Sequence, residues 1–238
     1  MFKLPKMSAS FAYLVLVQLS LCLSIIEPGI FVHFKRIWSP FFSDTVSQNT
    51  KVENRHRAID LSLSKESTLF FGDSITVGLA VSEISKHPVN FGAEYETTQT
   101  LANRINDYQS VLLKGDSVLM IGTNDIDKWD LSTTIDNYRT ILSIITANRT
   151  LQVYAVLPVD ENASKNLNGF NEKIEEMNSQ LDLLVSDYKN TSFRTINSLL
   201  TDADGNLKRN YHNGDGVHLN HHGYKHWIKD LKVSLSKN

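Results

Sequence analysis

Two short stretches of this chain carry a possible nucleophile, base and orienting acid: Ser74 in "FFGDSI", and Asp215 and His218 in "NGDGVHLN". A serine hydroxyl is a weak nucleophile until a base takes its proton, and that base must itself be held in place. Asp215 and His218 stand three apart, so the carboxylate can hold one imidazole nitrogen within a single turn and leave the other for Ser74. Gly214 and Gly216 allow the sharp backbone this needs. Acyl transfer also requires donors aimed at a developing oxyanion. Gly92 can bring a bare backbone N–H close, Asn124 carries a side-chain amide, and the Ser74 N–H makes a third donor. Taken alone, Ser74 reads equally well as an ordinary helix N-cap. The G-x-S-x-G elbow is absent, because position 76 is Thr.

These residues fall at the ends of strand-like runs. "TLFFG", "VNFG", "SVLMIG", "LQVYAVLP" and "SFRTI" read as strands, separated by helical patterns around 75–86, 98–113, 131–148 and 170–189, with a last helix near 221–236. Strands alternating with helices mean an α/β protein with a five-stranded parallel sheet. Ligands of open parallel sheets bind beyond the carboxyl ends of the strands. The polar triplets Gly72-Asp73-Ser74, Phe91-Gly92-Ala93 and Thr123-Asn124-Asp125 would then share one edge.

In order and position, "FFGDSI", "NFG", "IGTND" and "DGVHLN" resemble the four sequence blocks of the SGNH hydrolase (GDSL esterase/lipase) superfamily, over Phe70 to Asn220. The resemblance implies Ser74 as nucleophile, His218 as base and Asp215 as its partner, with Ser74, Gly92 and Asn124 forming the oxyanion hole. It also implies a flavodoxin-like three-layer α/β/α fold. The stretch "NFGAEYETTQTLANRI" is most similar to the platelet-activating-factor acetylhydrolase-like branch, whose members usually carry a second Gly where Tyr95 stands.

The 238 residues are 41% hydrophobic, enough for one domain and an appendage. A net charge of -2 without a long basic block argues against nucleic acid as a partner. Cys22 is the only cysteine, so no intramolecular disulfide can form. Lys3 and Lys6 precede a run without charge from Ala9 to Ile26, the pattern of a signal peptide or a membrane anchor. No small-x-small cleavage site clearly follows, so residues 1–34 read as a signal-anchor or transmembrane segment, 35–66 as a polar spacer and 67–238 as the hydrolase-like domain. That arrangement predicts a single-pass anchor with the domain outside the cytoplasm, or a secreted protein if the segment is cleaved.

Other motifs have weaker claims. Five histidines lie between His212 and His226, but no Cys or Glu completes a zinc spacing, so neither a metal nor another cofactor is expected. "DADGN" at 202–206 opens like a calcium loop yet has Asn213 at the twelfth position, and reads as a turn. Asp125, Asp127 and Asp130 read as capping and solvating residues rather than a glycosidase acid/base set. "NRT", "NAS" and "NTS" fit glycosylation sequons, a match that chance supplies often. The expected activity is a serine esterase acting on acetyl or other short acyl esters of a glycan, lipid or small molecule. An acyltransferase with the same triad and a non-catalytic binding module of the same fold are the alternatives.

Overall fold

Successive residues of the strand Thr68–Gly72 (β1) point to opposite faces, as the two-residue period of a strand requires, and both faces are covered: Leu69 and Phe71 join one apolar cluster, Phe70 another. Burial on both sides explains the continuous apolar run; each such side chain contributes roughly 1.5–3 kcal/mol. In the computed structural model, which describes residues 51–236, β1 belongs to a five-stranded sheet with β2 (Pro88–Asn90), β3 (Gly115–Met120), β4 (Arg149–Tyr154) and β5 (Thr191–Arg194). All pairings are parallel and the order is β2-β1-β3-β4-β5. The direction of winding therefore reverses between β1 and β3, the switch point where such sheets open a crevice.

Helices cover both faces. The cluster holding Leu69 and Phe71 also takes Leu101 and Ile105 of α2 (Thr98–Ile105), Ile141 and Ile145 of α3 (Leu131–Thr146), and Leu181 of α4 (Phe170–Ser186). The cluster holding Phe70 takes Leu200 of α5 (Asn197–Leu200) and Trp227 and Leu231 of α6 (His221–Leu235). These are the three layers expected. The helix predicted from residue 75 to 86 is shorter: α1 spans Ser74–Val77, and a separate 3-10 turn follows at Val81–Glu83. The reason lies in α6, where the Tyr224 hydroxyl donates to the Ile75 carbonyl at 2.8 Å. The Leu79 amide, deprived of that acceptor, turns to Thr76 O at 3.1 Å.

At the amino ends of the strands, far along the sheet from these turns, the Arg149 guanidinium donates to Ser67 O (2.5 Å), Asp116 O (2.9 Å), Leu113 O (2.8 Å) and Ser110 O (3.0 Å), and to the Ser117 hydroxyl (2.7 Å). It gathers β1, β3 and the turn before β3 around a single buried cation. Burial pushes its pKa down to about 10, which still leaves it charged at neutral pH.

Two expectations about the N-terminal part are corrected. Residues 51–60 are helical rather than an irregular spacer, and His56 and Asp60 are buried. The Asp60 carboxylate accepts the Gln109 amide at 2.7 Å and the Ser110 amide at 3.0 Å, so this stretch is bound to the domain. No helix among the described residues is long and apolar enough to cross a membrane. The run from Ala9 to Ile26, on which the transmembrane segment, the membrane partner and the anchored location rested, lies outside the described residues. The membrane-anchored reading is therefore withdrawn.

Removing the Asp60 carboxylate would take the acceptor from the Gln109 amide and from the buried Ser110 amide. Asp60→Ala should cost about 1–3 kcal/mol in urea unfolding; a change within about 0.5 kcal/mol, typical of a surface site, would show that this stretch is not integral to the domain.

Candidate active site

Ser74 is the first residue of α1, placed by a turn with little room. A Cβ on Gly72 would lie 2.1 Å from the Met120 carbonyl oxygen, so only glycine lets β1 end this close to β3. Asp73 follows with its Oδ1 accepting the Ile75 amide at 2.9 Å, capping α1 and pinning the turn. Ser74 Oγ lies 2.9 Å from His218 Nε2, and His218 Nδ1 lies 2.6 Å from Asp215 Oδ2. A carboxylate only accepts, so Nδ1 carries the proton and Nε2 is free to accept the Ser74 hydroxyl hydrogen. The three residues expected to converge thus form one continuous chain of hydrogen bonds.

Asp215 is itself oriented, its Oδ1 accepting the Val217 and His218 amides, each at 2.9 Å. Partial burial raises its pKa, but those two amides and the His218 ring outweigh it and hold the carboxyl below the ordinary range. Beneath this loop lies a second imidazole and carboxylate. His212 Nδ1 accepts the amides of Gly214 and Gly216, both at 3.0 Å, so its proton sits on Nε2, 3.1 Å from Asp160 Oδ2. Gly216 has φ +83°, and a Cβ there would meet Ala163 Cβ and Asp160 O at 2.7 Å. The sharp backbone expected at Gly214 and Gly216 is therefore fastened from below by His212, whose role the sequence concealed among four neighbouring histidines.

The residues expected to supply the oxyanion donors lie just beyond the ends of β2 and β3. The Ala93 amide donates to Gly72 O at 3.0 Å, which seats Gly92 beside the serine turn. A Cβ on Gly92 would approach Val77 N to 2.7 Å, so this close seat again needs glycine. The Gly92 amide is not idle: it donates to Asn90 Oδ1 at 2.8 Å, while Asn90 Nδ2 donates to Thr76 O at 2.7 Å. Asn124 donates one side-chain hydrogen to Glu96 O at 3.0 Å and has a second to offer. Glu96 and Arg104 form a buried ion pair, and Arg104 also donates to Phe91 O at 2.6 Å, so the pair braces both ends of the segment carrying Gly92. Nothing in the sequence marked Asn90, Glu96 or Arg104.

The remaining motifs resolve differently from one another. Asp130 caps α3 through the Thr133 amide at 2.7 Å, as expected for that helix. Asp125 instead caps α2, accepting the Thr98 hydroxyl at 2.5 Å and its amide at 3.1 Å, and Asp127 pairs with Lys173 at 2.8 Å. In "DADGN", Asp202 accepts the Asp204 and Asn206 amides at 3.0 Å, which is a turn. Among the described residues, no group of three or more His, Cys, Asp or Glu side chains converges on a point that could hold a metal ion.

Burial pushes the Asp73 carboxyl up to about 7; the Ile75 amide and His218 oppose the rise, while Glu96 and Asp125 add to it. Its Oδ2 has no hydrogen-bond partner among the described residues. An acid whose folded pKa is raised contributes stability that is fully present below its ordinary value of 3.8 and is lost as pH rises through the folded value. The wild type should therefore lose stability between roughly pH 4 and pH 7, by about 1.4 kcal/mol per unit of displacement. Asp73→Asn, which keeps the cap but has no proton to lose, should not. Urea unfolding of both proteins at pH 4.5, 6 and 8 tests this, and a difference between them that stays constant with pH would contradict it.

The chain matches the GDSL-like lipase/acylhydrolase family over residues 70–226, a span that holds Ser74, Gly92, Asn124, Asp215 and His218. No curated protein matches it. Among solved structures, it is similar to a protein of Streptococcus pneumonia described as a candidate platelet activating factor, with 27% identity over 87% of this chain and 99% of that one and a TM-score of 0.72. It also resembles a GDSL-like lipase of Bacteroides thetaiotaomicron, with 18% identity, coverage of 78% and 97%, and a TM-score of 0.67. A lipase/acylhydrolase of Enterococcus faecalis gives 17% identity, coverage of 71% and 97%, and a TM-score of 0.59. At the two lower identities the likeness is one of fold. With its four sequence blocks gathered at one sheet edge, the chain belongs to the GDSL-like lipase/acylhydrolase family and is a serine hydrolase of carboxylic esters.

Proposed function

We propose that Ser74, His218 and Asp215 act as nucleophile, general base and orienting acid in the hydrolysis of acetyl or other short acyl esters of a glycan, lipid or small molecule. The observation that carries this reading is the unbroken chain from Ser74 Oγ through both nitrogens of His218 to Asp215. As Ser74 Oγ bonds to the ester carbonyl carbon, its proton passes to His218 Nε2 and the C=O electron pair moves onto oxygen. That oxyanion is received by the Ser74 amide, the Gly92 amide and the second hydrogen of Asn124 Nδ2. On collapse the ester C–O bond breaks, the leaving alcohol takes the proton from Nε2, and the acyl group stays on Ser74. Water then repeats the attack, giving its proton to His218, and Ser74 regains a proton as the carboxylic acid leaves.

The short acyl group is supported by the residues around Gly92. Phe91, Glu96, Thr97 and Thr98 are buried, so their side chains do not form an apolar cleft at the oxyanion edge. The side chains of this segment that stay exposed are those of Glu94 and Tyr95, so the acyl group meets an open surface and not a deep apolar cleft, which suits a small one. A second reading, transfer of the acyl group to a sugar hydroxyl, is favoured by the exposure of the base: the His218 and Asp215 side chains are 43% and 47% accessible, open to an acceptor larger than water.

Ser74→Ala should abolish turnover of nitrophenyl esters from acetyl to decanoyl while leaving the unfolding transition intact; undiminished hydrolysis would end the serine reading. Product analysis with an added sugar alcohol separates free acid from transferred acyl ester. Asn124→Ala should lower kcat by about 10² to 10³ with little change in KM, the loss of one oxyanion donor. A rise in KM alone would make Asn124 a substrate-positioning residue instead.

A further inference from the structure

A groove of about 600 Å³ runs along α6, and its lining includes Gly78, four residues after Ser74, and His221, three residues after His218. Tyr224, which also lines it, donates to the carbonyl of Ile75, the residue after Ser74. The floor is apolar, with Ala80, Tyr224 and Ile228, while Lys225, Lys229 and Lys232 follow one another along its length. They stand four and three residues apart, so a single face of α6 presents them. Lys232 is paired with Glu83 at 3.6 Å. Neither Lys225 nor Lys229 makes an ion pair among the described residues, and both are exposed. A chain of net charge -2 thus concentrates unpaired positive charge in the groove along α6.

The chemistry of the triad says which part of a substrate lies there. The oxyanion donors Gly92 and Asn124 belong to loops that lead into α2 and to the turn before α3, on the opposite face of the sheet. The leaving alcohol must sit beside His218, which returns the proton to it. His218 stands three residues before His221, which begins α6 and lines the groove. We propose that this groove is a subsite for the alcohol portion of the ester, and that Lys225 and Lys229 select alcohols carrying an anionic group, a phosphate or a carboxylate. The apolar floor takes the carbon chain joining that anion to the ester oxygen. This assignment rests on Ser74 as the nucleophile.

The test compares three soluble acetyl esters of matched size, whose alcohols carry a phosphate, a carboxylate or a neutral hydroxyl. For the wild type, kcat/KM for either anionic ester should exceed that for the neutral one, and the advantage should shrink between 0.02 and 0.5 M salt, where screening shortens to a few ångströms. Lys225→Ala/Lys229→Ala should reduce the anionic-to-neutral ratio about tenfold, mainly through KM, and Lys225→Glu/Lys229→Glu should invert it. The ratio cancels any difference in the amount of folded enzyme. An advantage confined to the phosphate ester or to the carboxylate ester identifies which anion the groove takes. A ratio that neither variant changes, with turnover still lost in Ser74→Ala, overturns the groove alone. Turnover that survives Ser74→Ala overturns the serine reading and this assignment together.

Discussion

The closeness of two backbones organises this site. At Gly72 the end of β1 lies against the Met120 carbonyl at the end of β3, with no space for a side chain between them. Thr76 Oγ1 donates to that same carbonyl at 3.3 Å, and the Gly72 carbonyl accepts the Ala93 amide at 3.0 Å. The ends of β1 and β3 and the loop after β2 are therefore joined through one peptide unit. Ser74 cannot shift without moving the strand switch point, and Gly92 cannot shift without moving Ser74. The proposed nucleophile and donors inherit the rigidity of the central sheet, which is how a site of this kind holds its geometry before substrate arrives.

The base is held by different means, since it sits on a loop that no strand supports. Two imidazoles share the work. His218 has one nitrogen free to accept a proton and one fixed on Asp215. His212 has no freedom of this sort, because Nδ1 is taken by two amides and Nε2 by Asp160. The buried imidazole sets geometry, and the half-exposed one is the proposed base. Identical side chains six residues apart take different places because their surroundings differ.

Much of this was legible in the sequence, for identifiable reasons. Strand ends announce themselves where apolar runs break at small polar residues, and Ser74, Gly92 and Asn124 all stand at such breaks. Asp215 and His218 are close in sequence, so their pairing is a local matter. What escaped depends on distance along the chain. Asp160 meets His212 across 52 residues. Glu96 and Arg104 stand within "NFGAEYETTQTLANRI", but nothing local to either shows that it is buried. The stretch "RHRAIDL" looks like polar linker because only Ala58, Ile59 and Leu61 are apolar in it; besides Ile59 on the core, its attachment is made by Asp60, through a polar contact that hydrophobic periodicity cannot register. The early end of α1 likewise depends on a hydroxyl 149 residues away.

The resting state of Gly92 bears on how the proposed oxyanion hole would discriminate. Its amide donates to Asn90 Oδ1, a neutral acceptor, at 2.8 Å. An ester carbonyl is also a neutral acceptor, so exchanging one for the other gains little, and the substrate ground state is not strongly held at this donor. Once Ser74 bonds to the carbonyl carbon the oxygen becomes an anion, and hydrogen bonds to ionised acceptors are roughly twice as strong as neutral ones. The amide then gains by leaving Asn90 for the oxyanion. Asn90 keeps its place throughout, because its Nδ2 remains bonded to Thr76 O at the end of α1. A donor occupied at rest by a competitor of the substrate's own strength binds the transition state better than the ground state, and that difference accelerates the chemical step.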